Sequence, residues 1–366
     1  MRVPMYDKAE TNPSELLLGA MSDVAELSWY EAGQVVQRFE HAFAKMVGVD
    51  HCVTCASGTD ALILALRSLD ITVGDGIALV ANAGFYGSTA VHTVGATPVY
   101  VDVNDTTLCM NPESLDTVLK HSPIKAVIVT HLYGQLADIS SIAALCRQYG
   151  VMLIEDCAQA CGAVDSSGSM AGSFGDIACF SFYPTKNLGA YGDGGALCCN
   201  NPEFAARIRV IKQYGWRLKY QVDIQFGMNS RLDPVQAAIL FRKLPYLDNW
   251  NKRRREIATM YSESLVDIIR CPEVSLGMLS YVGHLYVART PKRDALRAHL
   301  AECGIMSDIH YPVPDYRQRA YHDAGVFLPN TEANTAQLVS LPCFPGLSNE
   351  AISCVIDAIK SWWRNG

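Results

Sequence analysis

A single lysine, Lys186, stands in the stretch FSFYPTKNLGAYGDGG, residues 180–195, between aromatic residues and a segment rich in glycine and alanine. A lysine that forms a Schiff base must lose its proton near neutral pH, which requires burial or nearby positive charge. Apolar walls and small neighbours provide that setting and leave room for a planar ring. The alternative is a surface lysine in a glycine-rich hairpin, and composition alone does not exclude it.

Two further groups follow strand-like runs. The stretch ASGTDALILAL, which follows the run HCVTC, places a Ser-Gly-Thr turn before a helix. Its free backbone N–H groups and helix dipole suit a phosphate, although serine and threonine are also ordinary helix caps. Asp156 directly follows VMLIE, with Gln159 one turn later. A carboxylate there needs a cationic or hydrogen-bonding partner, and a structural salt bridge is the alternative role.

Two more places in the sequence supply polar residues that are candidates for ligand contacts. Ser181 ends the next strand-like run and could bind an anion, while Asn229 and Arg231 precede a helix in GMNSRLDPVQAAI. The last two residues either contact a ligand or cap that helix. Ligands of α/β sheets bind beyond the carboxyl ends of the strands, so all these groups are candidates for one site.

Composition excludes several classes of function. The formal net charge is −7 and the pI is near 5.7, which argues against a nucleic-acid partner. The basic run 252–255 is interpreted as a solvated helix face, with contact to an anionic ligand as the alternative. No window approaches the roughly 18 apolar residues of a membrane span, and the N-terminus lacks the apolar region of a secretory signal. We therefore expect no membrane partner.

The chain has 13 cysteines, many of them in strand-like runs. We interpret them as core thiols of a cytoplasmic protein. Adjacent Cys198 and Cys199 should point to opposite faces of a strand. Cys52 and Cys55 have the spacing of a redox pair or half a zinc site, but no second pair with metal spacing accompanies them. The nine histidines are also scattered without ligand spacing, so we expect no metal.

The elements that position these residues alternate between strands and helices, the pattern of an α/β fold with a mostly parallel sheet. Seven strand-like runs occupy residues 51–55, 77–81, 98–103, 125–131, 151–155, 177–182 and 195–199. Amphipathic segments between them include residues 60–69, 113–120 and 139–149. We place a domain boundary near Pro245, which gives a large α/β domain (1–245) and a smaller α+β domain (246–366).

The joint pattern resembles the DegT/DnrJ/EryC1/StrS family of sugar aminotransferases, which use pyridoxal 5'-phosphate (PLP). The resemblance runs from about residue 14 to residue 347. The segments that carry it include ASGTDALILAL, IEDCAQACGA, GSFGDIACFSFYPTKNLGAYGDGGAL and MNSRLDPVQAAIL. It implies PLP fold type I, the fold of aspartate aminotransferase, with a seven-stranded mostly parallel sheet. It also implies a homodimer with active sites at the subunit interface.

The resemblance assigns cofactor roles residue by residue. Lys186 would be covalently bonded to PLP and act as the catalytic acid and base. Asp156 would pair with the ring nitrogen, and Gln159 would lie near the ring hydroxyl. The remaining contacts are the phosphate-binding residues Gly58, Thr59 and Ser181, with Asn229 from the neighbouring subunit, and an aromatic ring stacked on the cofactor, either Phe85 or Tyr86.

The resemblance also implies the reaction. L-glutamate would donate its amino group, leaving pyridoxamine 5'-phosphate, and the ketone of a nucleotide-linked sugar would then accept it. The segments THLYGQ and DIHYPVP are more similar to members that aminate C-3. We favour a dTDP-3-oxo-6-deoxyhexose, on the way to an amino sugar of a surface polysaccharide or a glycosylated metabolite. The alternatives are UDP-3-oxo-N-acetylglucosaminuronate, amination at C-4, or a PLP-binding regulatory protein without turnover.

Four residues are expected near the sugar nucleotide. His310 and Tyr311 would lie near the sugar, and Tyr183 and Lys219 near the sugar or its diphosphate. Aromatic packing is the alternative role for the tyrosines, and a solvated charge is the alternative for Lys219. A uronate acceptor would also need a cation near its carboxylate, and the sequence singles out no residue for that role.

Overall fold

A seven-stranded sheet forms the centre of the protein. The computed structural model describes residues 2–26 and 33–365. The strands are β1 (His51–Cys55), β2 (Gly76–Val80), β3 (Thr97–Val101), β4 (Ile124–Thr130), β5 (Met152–Asp156), β6 (Ile177–Ser181) and β7 (Gly195–Cys199). Each of the seven predicted strand-like runs corresponds to one of them. The prediction of the sheet is therefore confirmed.

The strand order is β1-β7-β6-β5-β4-β2-β3. Strand β7 is antiparallel to both of its neighbours, β1 and β6. The other pairs are parallel. The carboxyl ends of β1, β4, β5 and β6 consequently meet at one edge of the sheet, which brings together the residues that follow those strands.

Alternation along the strands divides the apolar residues between two cores. Val127 and Cys198 belong to one buried cluster, while Ile128 and Cys199 belong to the other. Helices α2 (Gln34–Val47) and α6 (Ile139–Tyr149) cover the first face, and α3 (Gly58–Ser68) covers the second. The remaining helices of this part are α1 (Ser14–Ala25), α4 (Tyr86–Thr93), α5 (Pro112–His121), α7 (Pro202–Ile211) and α8 (Pro234–Lys243).

The C-terminal part has its own apolar core. Its elements are α9 (Leu247–Leu265), α10 (Arg293–Glu302), α11 (Pro329–Thr335) and α12 (Asn349–Asn365), with the antiparallel pair β10 (Tyr286–Arg289) and β11 (Leu338–Leu341). Val3, near the N-terminus, joins this core and forms a parallel bridge with Ile305. The proposed domain boundary near Pro245 falls just before α9 and stays a prediction.

A small hairpin projects from the large part. It consists of β8 (Trp216–Leu218) and β9 (Gln221–Val222). Tyr220 and Phe226, on and beside this hairpin, leave 74% and 72% of their surfaces exposed.

All 13 cysteines are free thiols and ten of them are buried. Cys198 and Cys199 point to opposite faces of β7, as predicted. Cys52 and Cys55 also lie in different cores, which argues against a redox pair. Cys303 is exposed. Among the described residues, no helix is both long and apolar enough to cross a membrane.

Candidate active site

A cavity of about 630 Å³ opens at the carboxyl edge of the sheet, against the C-terminal part. The predicted residues that line it are Gly58, Thr59, Asp156, Gln159, Ser181, Tyr183, Lys186, His310 and Tyr311. Residues far apart in the chain therefore meet here, because β1, β5 and β6 end at the same edge and the segment carrying His310 packs against them.

The turn after β1 and the end of β6 approach very closely. Helix α3 begins at Gly58, and the Ser57 hydroxyl caps it by accepting the Asp60 N–H at 3.1 Å. A Cβ atom on Gly58 would lie only 2.6 Å from the Cβ of Ser181. Glycine is thus required for the approach. The free N–H groups of Gly58 and Thr59, with the Ser181 hydroxyl, form a site suited to an anion.

Asp156 is a buried carboxylate at the end of β5. Its oxygens accept hydrogen bonds from the Thr130 hydroxyl at 3.2 Å and the Ala158 N–H at 3.1 Å. Burial raises the pKa of Asp156, while the Ala158 N–H and the charge of Lys186 oppose that shift. The two donors and the lysine favour the ionised form, which can hold a proton on a ring nitrogen of a bound ligand.

Lys186 lies in a tight turn in which its N–H donates to the Tyr183 carbonyl at 2.8 Å. A Cβ atom on Gly189 would lie 2.5 Å from the Pro184 carbonyl oxygen, so the small residues noted in the sequence are what allow this turn. Burial lowers the pKa of Lys186 to about 8, and the Asp156 carboxylate opposes that shift. About a tenth of the Lys186 amine is therefore neutral at pH 7, far more than for a lysine with its ordinary pKa.

Gln159 connects the sheet edge to the C-terminal part. Its Oε1 accepts the Tyr133 N–H at 2.6 Å, and its Nε2 donates to the Tyr311 hydroxyl at 3.1 Å. His310 is held beside this pair, because its Nδ1 lies 2.8 Å from the Ser340 hydroxyl. Burial lowers the pKa of His310, and the nearby Asp308 carboxylate opposes the shift. Neutral His310 and Tyr311 give the cavity polar groups without net charge.

Of Phe85 and Tyr86, the two candidates for the ring that stacks on the cofactor, Tyr86 lines the cavity and Phe85 does not. The ring of Phe85 instead packs against Tyr321 at a centroid distance of 5.0 Å. Gly84 and Phe85 both have positive φ angles, which turns the chain so that Tyr86 faces inward. Asp315 holds this turn by accepting the Phe85 N–H at 3.1 Å.

Two predicted contacts lie outside the cavity of their own chain. Lys219 is exposed in the β8–β9 turn, with its Nζ 5.1 Å from the ring centroid of Tyr220. Asn229 is exposed and forms a backbone bridge with Gln213. The proposal for Asn229 concerns a neighbouring subunit, so its place in one chain does not test it. For Lys219, the structure gives no contact with the site in this chain.

The carboxylate next to Asp156 in sequence has a different role. Glu155 accepts the N–H groups of Gly172, Phe174 and Gly175 at 2.7–2.8 Å. It also lies 3.0 Å from Nε2 of His131. These bonds anchor the loop between β5 and β6. His131, Glu155 and Cys157 are close enough to hold a metal ion, but the glutamate oxygens are already used by these donors.

Sequence reasoning missed several groups of the lining, namely Met5, Tyr6, Arg254 and His284. The interpretation of residues 252–255 as a solvated face is wrong for Arg254, which is 2% exposed, and for Arg255, which is 9% exposed. Trp250, Arg254 and Ile257 recur at helical spacing on the buried side of α9. That periodicity was the available signal.

Comparison with known proteins agrees with this geometry. The profile of the DegT/DnrJ/EryC1/StrS aminotransferase family matches residues 14–360. A dTDP-3-amino-3,6-dideoxy-alpha-D-galactopyranose transaminase from Aneurinibacillus thermoaerophilus is 42% identical over 98% of this chain and 99% of its own. A pleiotropic regulatory protein from Geobacillus stearothermophilus is 36% identical, with all of both chains covered.

A solved structure of a related protein has the same fold. The X-ray structure of DesV from S. venezuelae, in complex with a ketimine intermediate, superposes with a TM-score of 0.93 at 38% identity. The alignment covers 99% of this chain and 98% of that one. The predicted fold class is confirmed.

Proposed function

Because the chain belongs to the DegT/DnrJ/EryC1/StrS aminotransferase family, we propose that it transfers the amino group of L-glutamate to the C-3 ketone of a nucleotide-linked sugar. A dTDP-3-oxo-6-deoxyhexose is the favoured acceptor. The observation that carries the proposal is the pairing of Lys186, with its lowered pKa, and buried Asp156 in one cavity beside an anion site.

The enzyme is PLP-dependent, and the cavity fits this cofactor. The approach of Gly58 to Ser181 leaves backbone and hydroxyl donors for a phosphate, at a place that any larger residue would block. Buried Asp156 lies on the same sheet edge as Lys186. These are the groups that a phosphorylated pyridine aldehyde requires, namely phosphate donors, a partner for the ring nitrogen, and an amine for the carbonyl carbon.

When bound, PLP supplies a conjugated ring that withdraws electrons from the amino-bearing carbon. Asp156 would hold the proton on the ring nitrogen, and Gly58, Thr59 and Ser181 would fix the phosphate. Lys186 Nζ would take the proton from the donor carbon and return one to the acceptor carbon, which its pKa of about 8 suits near neutral pH. The lysine therefore serves both half-reactions, and ping-pong kinetics follow.

The choice of C-3 rests on the relatives. The 42% identical relative bears the name of a dTDP-3-amino sugar transaminase. His310 and Tyr311, which belong to the segment DIHYPVP, both line the cavity, where they would contact the sugar. C-4 amination and a 3-oxo uronate acceptor are the competing possibilities, and both are distinguished by the product formed.

We propose a homodimer in which Asn229 of one chain completes the phosphate site of the other. Exposed apolar side chains on and beside the β8–β9 hairpin, including Tyr220 and Phe226, support a contact between copies. A cytoplasmic location is also proposed, since ten buried free thiols suit a reducing compartment. Light scattering at several protein concentrations measures the oligomeric state directly.

The deciding experiment records the absorbance spectrum of the PLP-loaded protein before and after L-glutamate. Conversion of the lysine-bound cofactor to pyridoxamine phosphate is the expected result. An unchanged spectrum with L-glutamate would favour the regulatory alternative, a role suggested by the name of the 36% identical relative. Incubation with dTDP- and UDP-linked 3-oxo and 4-oxo sugars, followed by NMR of the product, then assigns the aminated carbon.

A further inference from the structure

The cavity contains a buried cation that no described residue balances. Arg254 lies on α9, is 2% exposed, and lines the cavity. Its Nη1 donates to the carbonyls of Gly283, His284 and Cys343 at 3.2, 3.3 and 2.6 Å. Within residues 2–26 and 33–365, no carboxylate forms an ion pair with it, and its Nε atom is buried without a hydrogen-bond partner.

This arrangement leaves a positive charge available to a ligand. Removing a charge from water costs several kcal/mol unless a counter-charge is present. Burial lowers the pKa of Arg254, but a guanidinium stays protonated in proteins. The three carbonyls offset part of the cost and fix the orientation of the group. The remaining N–H groups of the guanidinium match the planar fork of a carboxylate.

Arg254 lies beside His284, whose carbonyl accepts a hydrogen bond from Nη1 of Arg254 at 3.3 Å. His284, which also lines the cavity, has its pKa lowered by burial and by the charges of both Lys186 and Arg254. Arg254 is therefore close enough to Lys186 for both charges to act on one imidazole. Gly58, Thr59 and Ser181 supply separate donors for the cofactor phosphate, so Arg254 is left for a second anion.

We propose that Arg254 binds the carboxylate of a substrate, either that of the amino-acid donor or that of a uronate acceptor. The inference rests on the proposed function, since it assumes that donor and acceptor both enter this cavity. A nucleotide diphosphate fits the position poorly, because a bulky group that extends to solvent cannot surround a side chain of which only 2% is accessible. A carboxylate is small and planar, so it can bind the guanidinium from a single side.

The test uses calorimetric titration of the PLP-loaded enzyme with glutarate, which has the carboxylates of L-glutamate but no amino group to transfer. Arg254→Gln should weaken glutarate binding by about 30-fold or more, the loss typical of removing one partner of a buried charge pair. Arg254→Lys, which keeps the charge but loses the fork, should weaken it less. Arg253→Gln is the matched control, because Arg253 contacts Glu256 and the Leu347 carbonyl outside the cavity.

Separate half-reactions identify the source of the carboxylate. A raised KM for L-glutamate alone assigns Arg254 to the donor, and a raised KM for UDP-3-oxo-N-acetylglucosaminuronate alone assigns it to the acceptor. Unchanged glutarate binding together with an unchanged KM for both substrates, in a folded Arg254→Gln enzyme with its normal cofactor spectrum, overturns the proposal. Weaker binding of dTDP without any change for glutarate or in either KM also overturns it.

A second measurement tests the proposal if the Arg254→Gln variant does not fold. If Arg254→Gln fails to fold, the wild-type enzyme is titrated with glutarate and with neutral glutaramide. Clearly tighter binding of glutarate, reduced in Arg254→Lys, supports the proposal, while equal affinities for the two compounds overturn it. The titration needs no sugar turnover. If no keto sugar acts as acceptor, the proposed function is overturned. The glutarate titration would still show whether Arg254 binds a carboxylate.

Discussion

The two walls of the cavity are built in different ways. The sheet-edge wall consists of Gly58, Asp156, Ser181 and Lys186. Asp156 and Ser181 end strands of the central sheet, and Gly58 and Lys186 lie in the segments that follow β1 and β6. The outer wall consists of Tyr6, Arg254, His284, His310 and Tyr311, which come from the N-terminal segment and the C-terminal part. Topology alone brings the first set together, whereas the second depends on how separate segments pack.

The difference suggests that one wall carries out the chemistry and the other recognises the substrate. The sheet-edge wall supplies donors, a carboxylate and an amine, which are the groups that PLP chemistry requires. The outer wall supplies aromatic rings, neutral polar groups and one cation, which suit recognition of substrate. Changes in the sheet-edge wall should therefore weaken cofactor binding or slow the chemistry with every substrate, while changes in the outer wall should alter substrate preference.

The strongest test of this division is Lys186→Ala. Loss of the amine should slow the half-reaction with L-glutamate by roughly 10⁴-fold, the upper range for a positioned acid and base. Rapid-mixing absorbance spectroscopy measures that rate, and Lys125→Ala, at an exposed ion pair with Asp75, is the control. A variant that keeps most of the rate would show that the sheet-edge wall does not contain the catalytic base.

Asp156→Asn should give the next largest effect. The amide keeps the size of the side chain but cannot balance a protonated ring nitrogen, so a loss of roughly 10²–10³-fold in rate is expected. Glu155→Gln is the informative comparison, because Glu155 anchors the loop at Gly172 and Gly175. It should lower stability by about 1–3 kcal/mol with little change in rate per folded molecule. The reverse pattern in the two variants would contradict the roles assigned to these carboxylates.

Asp315, in the C-terminal part, binds the turn at Phe85 in the large part, and its titration tests that connection. It is 1% exposed, and it accepts hydrogen bonds from the Phe85 N–H and the Ser88 hydroxyl. Burial raises the pKa of Asp315 to about 7, and the Ser88 hydroxyl and the Phe85 N–H oppose that shift. The folded state thus binds a proton that the unfolded chain releases above about pH 4.

Stability contributed by Asp315 should therefore fall as pH rises from about 4 through 7. Asp315→Asn removes this titration, so the free energy of unfolding of the variant should rise relative to that of the wild type by roughly 4 kcal/mol across that range, at about 1.4 kcal/mol per pKa unit. Urea unfolding at several pH values measures the difference. Parallel stability curves for the two proteins would mean that Asp315 is ionised throughout.

Gly58→Ala should have the smallest effect of the set. The added methyl group would lie 2.6 Å from the Ser181 Cβ, and a forced shift of this kind costs about 1–3 kcal/mol. PLP affinity, measured by fluorescence titration of the apoenzyme, should fall accordingly. Gly277→Ala is the control, since no atom lies within 4 Å of the added carbon there. Equal PLP affinities in the two variants would show that the cofactor phosphate binds at another place.

The same two walls show what the sequence could predict. The strands follow from the alternation of elements along the chain, and the sheet-edge residues follow from their positions at or just after strand ends, since ligands of α/β sheets bind beyond the carboxyl ends of the strands. The sequence left Phe85 and Tyr86 as alternatives for the stacking ring, and the positive φ angles at Gly84 and Phe85 rotate Tyr86 toward the cavity. A sequence of Gly-Phe-Tyr does not specify that rotation.

The outer wall was harder to predict for a different physical reason. Arg254 looks like a surface residue because it lies in a run of four basic residues, yet it faces the carbonyls of Gly283 and Cys343, which no local pattern links to it. Tyr6 reaches the cavity by donating to the Pro184 carbonyl at 2.9 Å. Such contacts depend on the packing of the C-terminal part against the sheet.

The distribution of thiols makes this chain a convenient object for labelling. Cys303 is exposed at the end of α10, whereas ten of the other cysteines lie in apolar cores, where burial raises their pKa values. A maleimide dye should attach first at Cys303, without any engineered cysteine-free background. One fluorophore per chain, at a known place in the C-terminal part, would report the distance between copies by energy transfer while substrates bind.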